Sequence, residues 1–283
     1  MTARGLGRAA GGGSPDRQGT PAGVPAWLTE LAAAAQRLEV PEIMQPPPDG
    51  GRRSAILILF ASGPRGPDVL LVQRSPALRR HPGQVAFPGG AIDETDDGPV
   101  GAALREAAEE AGVEPAGVQV VTTLPDLYIW RSGYQVSPVI AWWPEPAPVR
   151  PGDPAEVVGV ARVAMADLAE PANRWTVEYP AAAALPGLRP DPPDPDLRVG
   201  RGADSDDSDG PAGPPLRPDG RPLRPDGPPL RPAGPGFRVG PMLIWGFTAY
   251  LLDRLLALGG WELPWDSART VAAPVPLPDT GRA

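Results

Sequence analysis

The segment Gly89–Val113, GGAIDETDDGPVGAALREAAEEAGV, decides how this chain is read. A helix is predicted over Pro99–Ala111, ended by Gly112, a residue that caps helices because it tolerates the left-handed conformation. On that helix Glu106, Glu109 and Glu110 stand at i, i+3 and i+4 and so share a face. Like charges so placed repel by roughly 0.2–0.5 kcal/mol per pair. A hard divalent cation would reverse that cost, and carboxylate ligands suit Mg2+ or Mn2+ rather than zinc. Taken alone, such a string is a common solvated helix face. Phe87-Pro88-Gly89-Gly90 just upstream shifts the balance, because paired glycines let the backbone turn sharply and bring a carbonyl close to a ligand or metal.

Outward from this segment, short apolar runs mark strands. Ser54–Phe60 and Asp68–Arg74 read as two buried strands joined as a hairpin across Gly63-Pro64-Arg65-Gly66-Pro67. Val118–Leu124, Val136–Trp143 and Glu156–Val163 read as further strands, the last followed by a helical piece near Ala164–Ala169. Trp175–Tyr179 and Phe237–Trp245 are expected to pair. Amphipathic helices are predicted over Pro25–Leu38 and over about Phe247–Leu258.

The flanks differ in character. Residues 1–24 lack periodicity and read as a disordered N-terminal segment. Residues 186–235 hold 15 prolines in 50 positions, which excludes a continuous helix or central strand. This Pro/Gly-rich insertion contains an imperfect seven-residue repeat, Leu216-Arg217-Pro218-Asp219-Gly220 and its two successors. One reading is a solvated, extended excursion at a hairpin tip; the other is a ligand for a polyproline-binding partner. Residues 266–283 read as a flexible C-terminal tail. The domain proper is therefore expected over 25–185 and 236–265.

Composition narrows the function. The net charge of −8 disfavours nucleic acid as a partner. No cysteine is present, so disulfides, thiolate metal sites and a cysteine nucleophile are excluded, and a reducing cytoplasmic setting is expected. His81 is the sole histidine, so a multi-histidine metal site is excluded. Neither a signal peptide nor a membrane-spanning run is read from the sequence.

The segment from Gly90 resembles the box of the Nudix hydrolases, Gx5Ex7REUxEExGU, where U is a bulky aliphatic residue. Gly90, Arg105-Glu106, Glu109-Glu110 and Gly112-Val113 match it. Asp96 stands at the first glutamate, the spacer that follows has one extra residue, and Ala107 is a small version of the aliphatic position. Upstream, Leu70-Leu71-Val72-Gln73-Arg74-Ser75, Arg79, Gly83 and Phe87-Pro88-Gly89-Gly90 resemble the signature of the coenzyme A pyrophosphatase branch, LLTxR[SA]x3Rx3Gx3FPGG. Only Val72 departs from it, at the usual threonine.

The resemblance implies an α/β (α+β) fold, an α/β/α sandwich around a mixed β-sheet. It implies metal-dependent cleavage of a pyrophosphate bond in a small-molecule diphosphate, coenzyme A or its acyl forms. Glu106, Glu109, Glu110 and the Gly89 carbonyl would hold Mg2+ or Mn2+. Glu106 would also serve as base, with Arg105 and Glu109 completing the catalytic set. Arg74, Ser75, Arg79, Phe87 and Gly90 would bind substrate, the arginines through guanidinium forks to phosphate. His81 is read as a structural hydrogen-bonding residue, and Glu156 as a solvated strand end no less than as a further ligand. Nudix domains often form homodimers, and nothing in the sequence marks an interface. Competing readings are a Nudix hydrolase for another nucleoside diphosphate derivative and a non-catalytic Nudix-like binding module.

Overall fold

A computed structural model describes residues 23–48, 50–130, 132–179 and 233–274. The expected disorder of residues 1–24 and 186–235 falls almost wholly outside them.

In chain order the elements are α1 (Ala26–Gln36), β1 (Arg52–Gly63), β2 (Gly66–Arg74), β3 (Val85–Ala86), β4 (Gly89–Ala91), α2 (Gly98–Ala111), β5 (Gln119–Thr123) and β6 (Leu127–Ile129). Then come β7 (Tyr134–Trp143), β8 (Val157–Ala164), α3 (Met165–Ala169), β9 (Arg174–Glu178), β10 (Ala233–Val239), β11 (Met242–Ile244), α4 (Gly246–Leu258) and β12 (Thr270–Ala272).

The apolar run of β1 is the centre of an eight-stranded mixed sheet. It pairs in parallel with β7 and in antiparallel with β2 and β4, which follow one another along its other edge. The near-continuous apolar run in β1 is explained by burial on both faces. Ala55, Leu57 and Leu59 face α2, where they meet Ala102, Ala103 and Ala107. Ile58 and Phe60 point the other way, to a cluster with Leu28 and Leu31 of α1 and Leu252 and Leu256 of α4. Each such fully buried Leu, Ile or Phe contributes about 1.5–3 kcal/mol of transfer free energy. Trp27 meets Phe60, Trp142 and Trp261 edge-on, tying α1 to the sheet and to the end of α4. The architecture is the expected α/β/α sandwich around a mixed sheet. Among the described residues no helix is long and apolar enough to cross a membrane.

Four local expectations need adjustment. Phe237–Trp245 is not one strand but the β10–β11 hairpin, because Gly240 takes φ 55° and reverses the chain. Ala233–Pro235, assigned to the insertion, belong to β10 and pair with β9. The segment read as a flexible tail includes β12, which lies parallel to β9 and is continued by a hydrogen bond from the Ala273 N–H to the Glu178 carbonyl. A three-residue strand has too short a pattern to stand out in sequence. The small strands β3, β4 and β6 escape the sequence reading for the same reason, and β4 carries Gly89 and Gly90.

Candidate active site

The box folds as a loop, a helix and a second loop against β1 and β4. Gly89 and Gly90 pair with Ile56 and Ala55. A Cβ on Gly89 would lie 2.4 Å from the Ala55 carbonyl oxygen and 2.8 Å from the Ile56 Cα, both backbone atoms with no room to yield. A Cβ on Gly90 would lie 2.2 Å from Glu106 Oε1. The first glycine lets the turn press onto the sheet, and the second leaves space that a glutamate occupies.

The helix then sorts its three glutamates by angle. At 100° per residue, Glu110 is 40° from Glu106 on one side and Glu109 is 60° from it on the other. Glu110 turns inward, is 5% exposed, and accepts a hydrogen bond from the Gly89 N–H at 3.1 Å. Glu106 covers Gly90. Glu109 turns outward, its side chain 58% exposed, and is held at 3.2 Å by Arg105 Nη1. Glu106 and Glu110 thus meet at the glycine turn while Glu109 stands at the rim.

Arg105 organises the rim. It donates two hydrogen bonds of 3.0 Å to Asp96, one of 2.9 Å to Glu106 and one of 3.1 Å to the Ala91 carbonyl. Asp96, at the position where the family pattern has glutamate, is therefore the fork partner of Arg105. That bond is the main cause holding its carboxyl below the usual carboxylate range, and the same bond pushes Arg105 up. Gly98 opens α2 with φ 63°, a left-handed conformation, near the start of the one-residue-longer spacer. Ala107 is fully buried, where its small side chain suits close contact between helix and sheet.

Burial raises both inner glutamates. Glu106 is raised by desolvation, with the charges of Glu109 and Glu156 adding to it. Glu110 is pushed up to about 7 by desolvation, with the charges of Glu106 and Glu156 adding to it against the Gly89 hydrogen bond and Arg74. Glu156, just before β8, is thus electrostatically part of this site. Its carbonyl accepts from the Ser75 N–H at 2.7 Å, which anchors it beside the end of β2. In sequence Glu156 reads as a solvated strand end no less than as a ligand; it lies 46 positions from Glu110, and only strand pairing shows the proximity.

The donor set fits a hard divalent cation in kind: oxygen ligands only, with negative charges that repel one another around one turn. Among the described residues, no group of three or more Asp, Glu or His side chains is already gathered at ligand geometry. Glu109 in particular is engaged by Arg105.

The upstream residues divide. Arg74, at the end of β2, reaches into the site, with Nη1 3.7 Å from Glu110 Oε1, and its Nε is buried without a protein partner. Gly90 floors it. Arg79 is exposed on the loop that follows. Ser75 is 4% exposed and shapes that loop, its Oγ accepting from the Ala77 N–H at 3.3 Å. Phe87, expected to bind substrate, is 3% exposed and packs in the core cluster of α1 and α4, as the apolar knob that seats the turn. The His81 ring bonds Gln84 Oε1 at 3.1 Å from a backbone at φ 52°, consistent with a loop-shaping role. A cavity of about 140 Å³ lies between α1, α4 and the segment 124–127, and none of these carboxylates lines it.

A NUDIX domain family profile matches residues 51–185. Over 99 residues the chain is 48% identical to the uncharacterized Nudix hydrolase NudL of Escherichia coli (strain K12), covering 35% of this chain and 50% of that one. The NudL of Shigella boydii serotype 4 (strain Sb227) is 50% identical over 99 residues with the same coverage. The chain thus spans about half the length of the curated relatives it matches. Among solved structures, a Nudix hydrolase from M. smegmatis, RenU, is similar at 29% identity, covering 45% of this chain and 82% of that one with a TM-score of 0.36. With the box and its glycine turn assembled as described, residues 51–185 of this chain are a Nudix domain.

Proposed function

We propose that this protein hydrolyses the pyrophosphate bond of coenzyme A or its acyl derivatives, giving 3′,5′-ADP and (acyl-)4′-phosphopantetheine. The observation that carries the reading is the meeting of Arg74 with Glu110. It joins the upstream arginine signature to the box glutamates in one site, as a phosphate-binding cation beside a metal-binding carboxylate would require.

Nudix hydrolases generally use divalent ions such as Mg2+ or Mn2+. Glu106 and Glu110, with Glu109, Glu156 and the Gly89 carbonyl around them, are the groups that would hold such an ion here. When bound, it neutralises the diphosphate and lowers the pKa of water. The chain's own residues do the rest. Arg74 and Arg79 draw the diphosphate toward the turn. Glu106 accepts the proton of the attacking water, a role suited to a carboxylate whose proton affinity burial has raised. Arg105 fixes Glu106 and Glu109 through its bonds to Asp96 and Ala91, so that their orientation is set before substrate arrives. The phosphorus–oxygen bond to the leaving phosphate breaks as the bond to water oxygen forms. The proposed setting is the cytoplasm, with a small-molecule partner.

Mass-spectrometric product analysis tests this, with coenzyme A and Mg2+ or Mn2+, alongside Glu106→Gln. Both products are expected from the unmodified protein alone. Cleavage of other nucleoside diphosphate derivatives without any coenzyme A species would discard the substrate, and silence on all of them would discard the activity.

A further inference from the structure

The face of the large sheet that carries α2 continues beyond the helix. The odd-numbered residues of β1 point to that face, as Ala55 and Leu57 show by packing with α2. By the two-residue period of a strand, Arg53 points there too, and it is exposed. Register extends the face sideways. Ala55 has Gly90 on one side and Ser137 on the other, while Arg53 is beside Gln135, which is beside Tyr128. Asp126 closes this strip, accepting from Ser137 Oγ at 2.5 Å and from Gln135 Nε2 at 2.6 Å. The strip begins under Glu106 at Gly90 and ends three strand spacings away, roughly 14 Å, at β6.

Trp130 stands at its far end, 53% exposed. Its ring meets Tyr128 edge-on, with centroids 4.9 Å apart and planes at 87°. Tyr128 is itself nearly buried, its ring lying where a Cβ on Gly51 would fall, 2.6 Å away. Trp130 is therefore an exposed aromatic face on a rigid backing. An exposed tryptophan alone would need no explanation. This one ends a strip that also offers an exposed guanidinium and a carboxylate fixed by two donors, and the strip leads to the glutamates.

We propose that the strip from Gly90 to Trp130 is the subsite for the nucleoside half of the substrate. Trp130 stacks on the base, the remaining lone pairs of Asp126 accept from hydroxyl or amino donors, and Arg53 binds a phosphate carried on the ribose. The strip starts where the diphosphate would lie: held at Glu106 and Glu110, it would extend its nucleoside toward Trp130. The inference rests on the proposed pyrophosphate chemistry for where the diphosphate lies, but its test needs no turnover.

The experiment is calorimetric titration of the whole, metal-free protein with AMP and with 3′,5′-ADP. Unmodified protein, Trp130→Ala, Trp130→Phe and Arg53→Ala are compared after thermal melting shows each folded. Unmodified protein should bind both nucleotides and prefer 3′,5′-ADP. Trp130→Ala should bind both about tenfold or more weakly. Trp130→Phe should recover most of the loss, and Arg53→Ala should lose the preference. Equal affinities in unmodified protein and Trp130→Ala, or no nucleotide binding by the unmodified protein, would overturn the subsite. Trp130-dependent binding in a protein that leaves coenzyme A intact would sustain the subsite and sink the substrate assignment. Hydrolysis of coenzyme A with an unchanged KM in Trp130→Ala would do the reverse.

Discussion

Replacing Glu110 by Gln separates the burial of this residue from its charge. Burial pushes its carboxyl from 4.5 up to about 7, a difference worth about 3 kcal/mol between the folded and unfolded chains. The sign follows from linkage. A carboxyl whose folded value lies above its unfolded value favours folding below the unfolded value, and that contribution is lost as pH rises through the folded one. In metal-free protein this residue should therefore lower stability progressively between about pH 4.5 and pH 7. Glutamine keeps the shape and can still accept from the Gly89 N–H, but it does not ionise. Metal-free Glu110→Gln should thus match the parent near pH 4.5 and exceed it by up to about 3 kcal/mol at pH 8, measured by denaturant unfolding across pH. Other carboxyls titrate in the same range, so the quantity to read is the difference between the two proteins. Adding Mg2+ or Mn2+ at pH 8 should raise the parent's stability and leave the variant's little changed, since a ligand that binds only the folded state stabilises it by mass action. Parallel pH–stability curves and equal metal responses would refute both the burial argument and the ligand assignment.

Other consequences are as direct. Gly89→Ala should destabilise the fold by about 1–3 kcal/mol, because its Cβ meets backbone, whereas Gly90→Ala should leave the melting temperature nearly unchanged. Gly90→Ala should instead lower kcat about a hundredfold or more by displacing Glu106, so turnover and melting together tell the two glycines apart. Arg174 is 1% exposed, paired with Asp253 and stacked between Phe237 and Trp265, so Arg174→Ala should cost about 3 kcal/mol in chemical denaturation. Glu178 and Ala233 are cross-strand partners, so the chain leaves and re-enters the four-stranded sheet of β9 to β12 at adjacent points. Replacing residues 181–231 with a short turn should accordingly preserve folding and turnover of coenzyme A, and loss of both would show that the insertion does more than connect.

Much of the fold was legible because β1, β2, β7 and β8 are long apolar runs and α2 ends on a glycine. The box was legible because its spacing is local: Gly90, Arg105 and Glu106 sit within one loop and one helix. What was not legible depended on direction. Glu109 and Glu110 are neighbours in sequence, yet α2 sends one to solvent beside Arg105 and the other under Arg74. Phe87 sits inside a substrate-type signature, yet the turn that presents Gly89 and Gly90 requires its ring in the core. Asp96 looked like a weakened match and is the residue that holds Arg105 in both forks.

By itself, the sequence determined which residue types lie along the strands and helices and which carboxylates and arginines were available for phosphate chemistry, because period and spacing are properties of the chain. Only the tertiary structure decided which of them meet. Strand pairing set Glu156 beside the glutamates of α2 and placed Asp126, Gln135, Ser137 and Arg53 on one strip, because register between segments far apart in sequence is selected by burial of both sheet faces together and leaves no local mark.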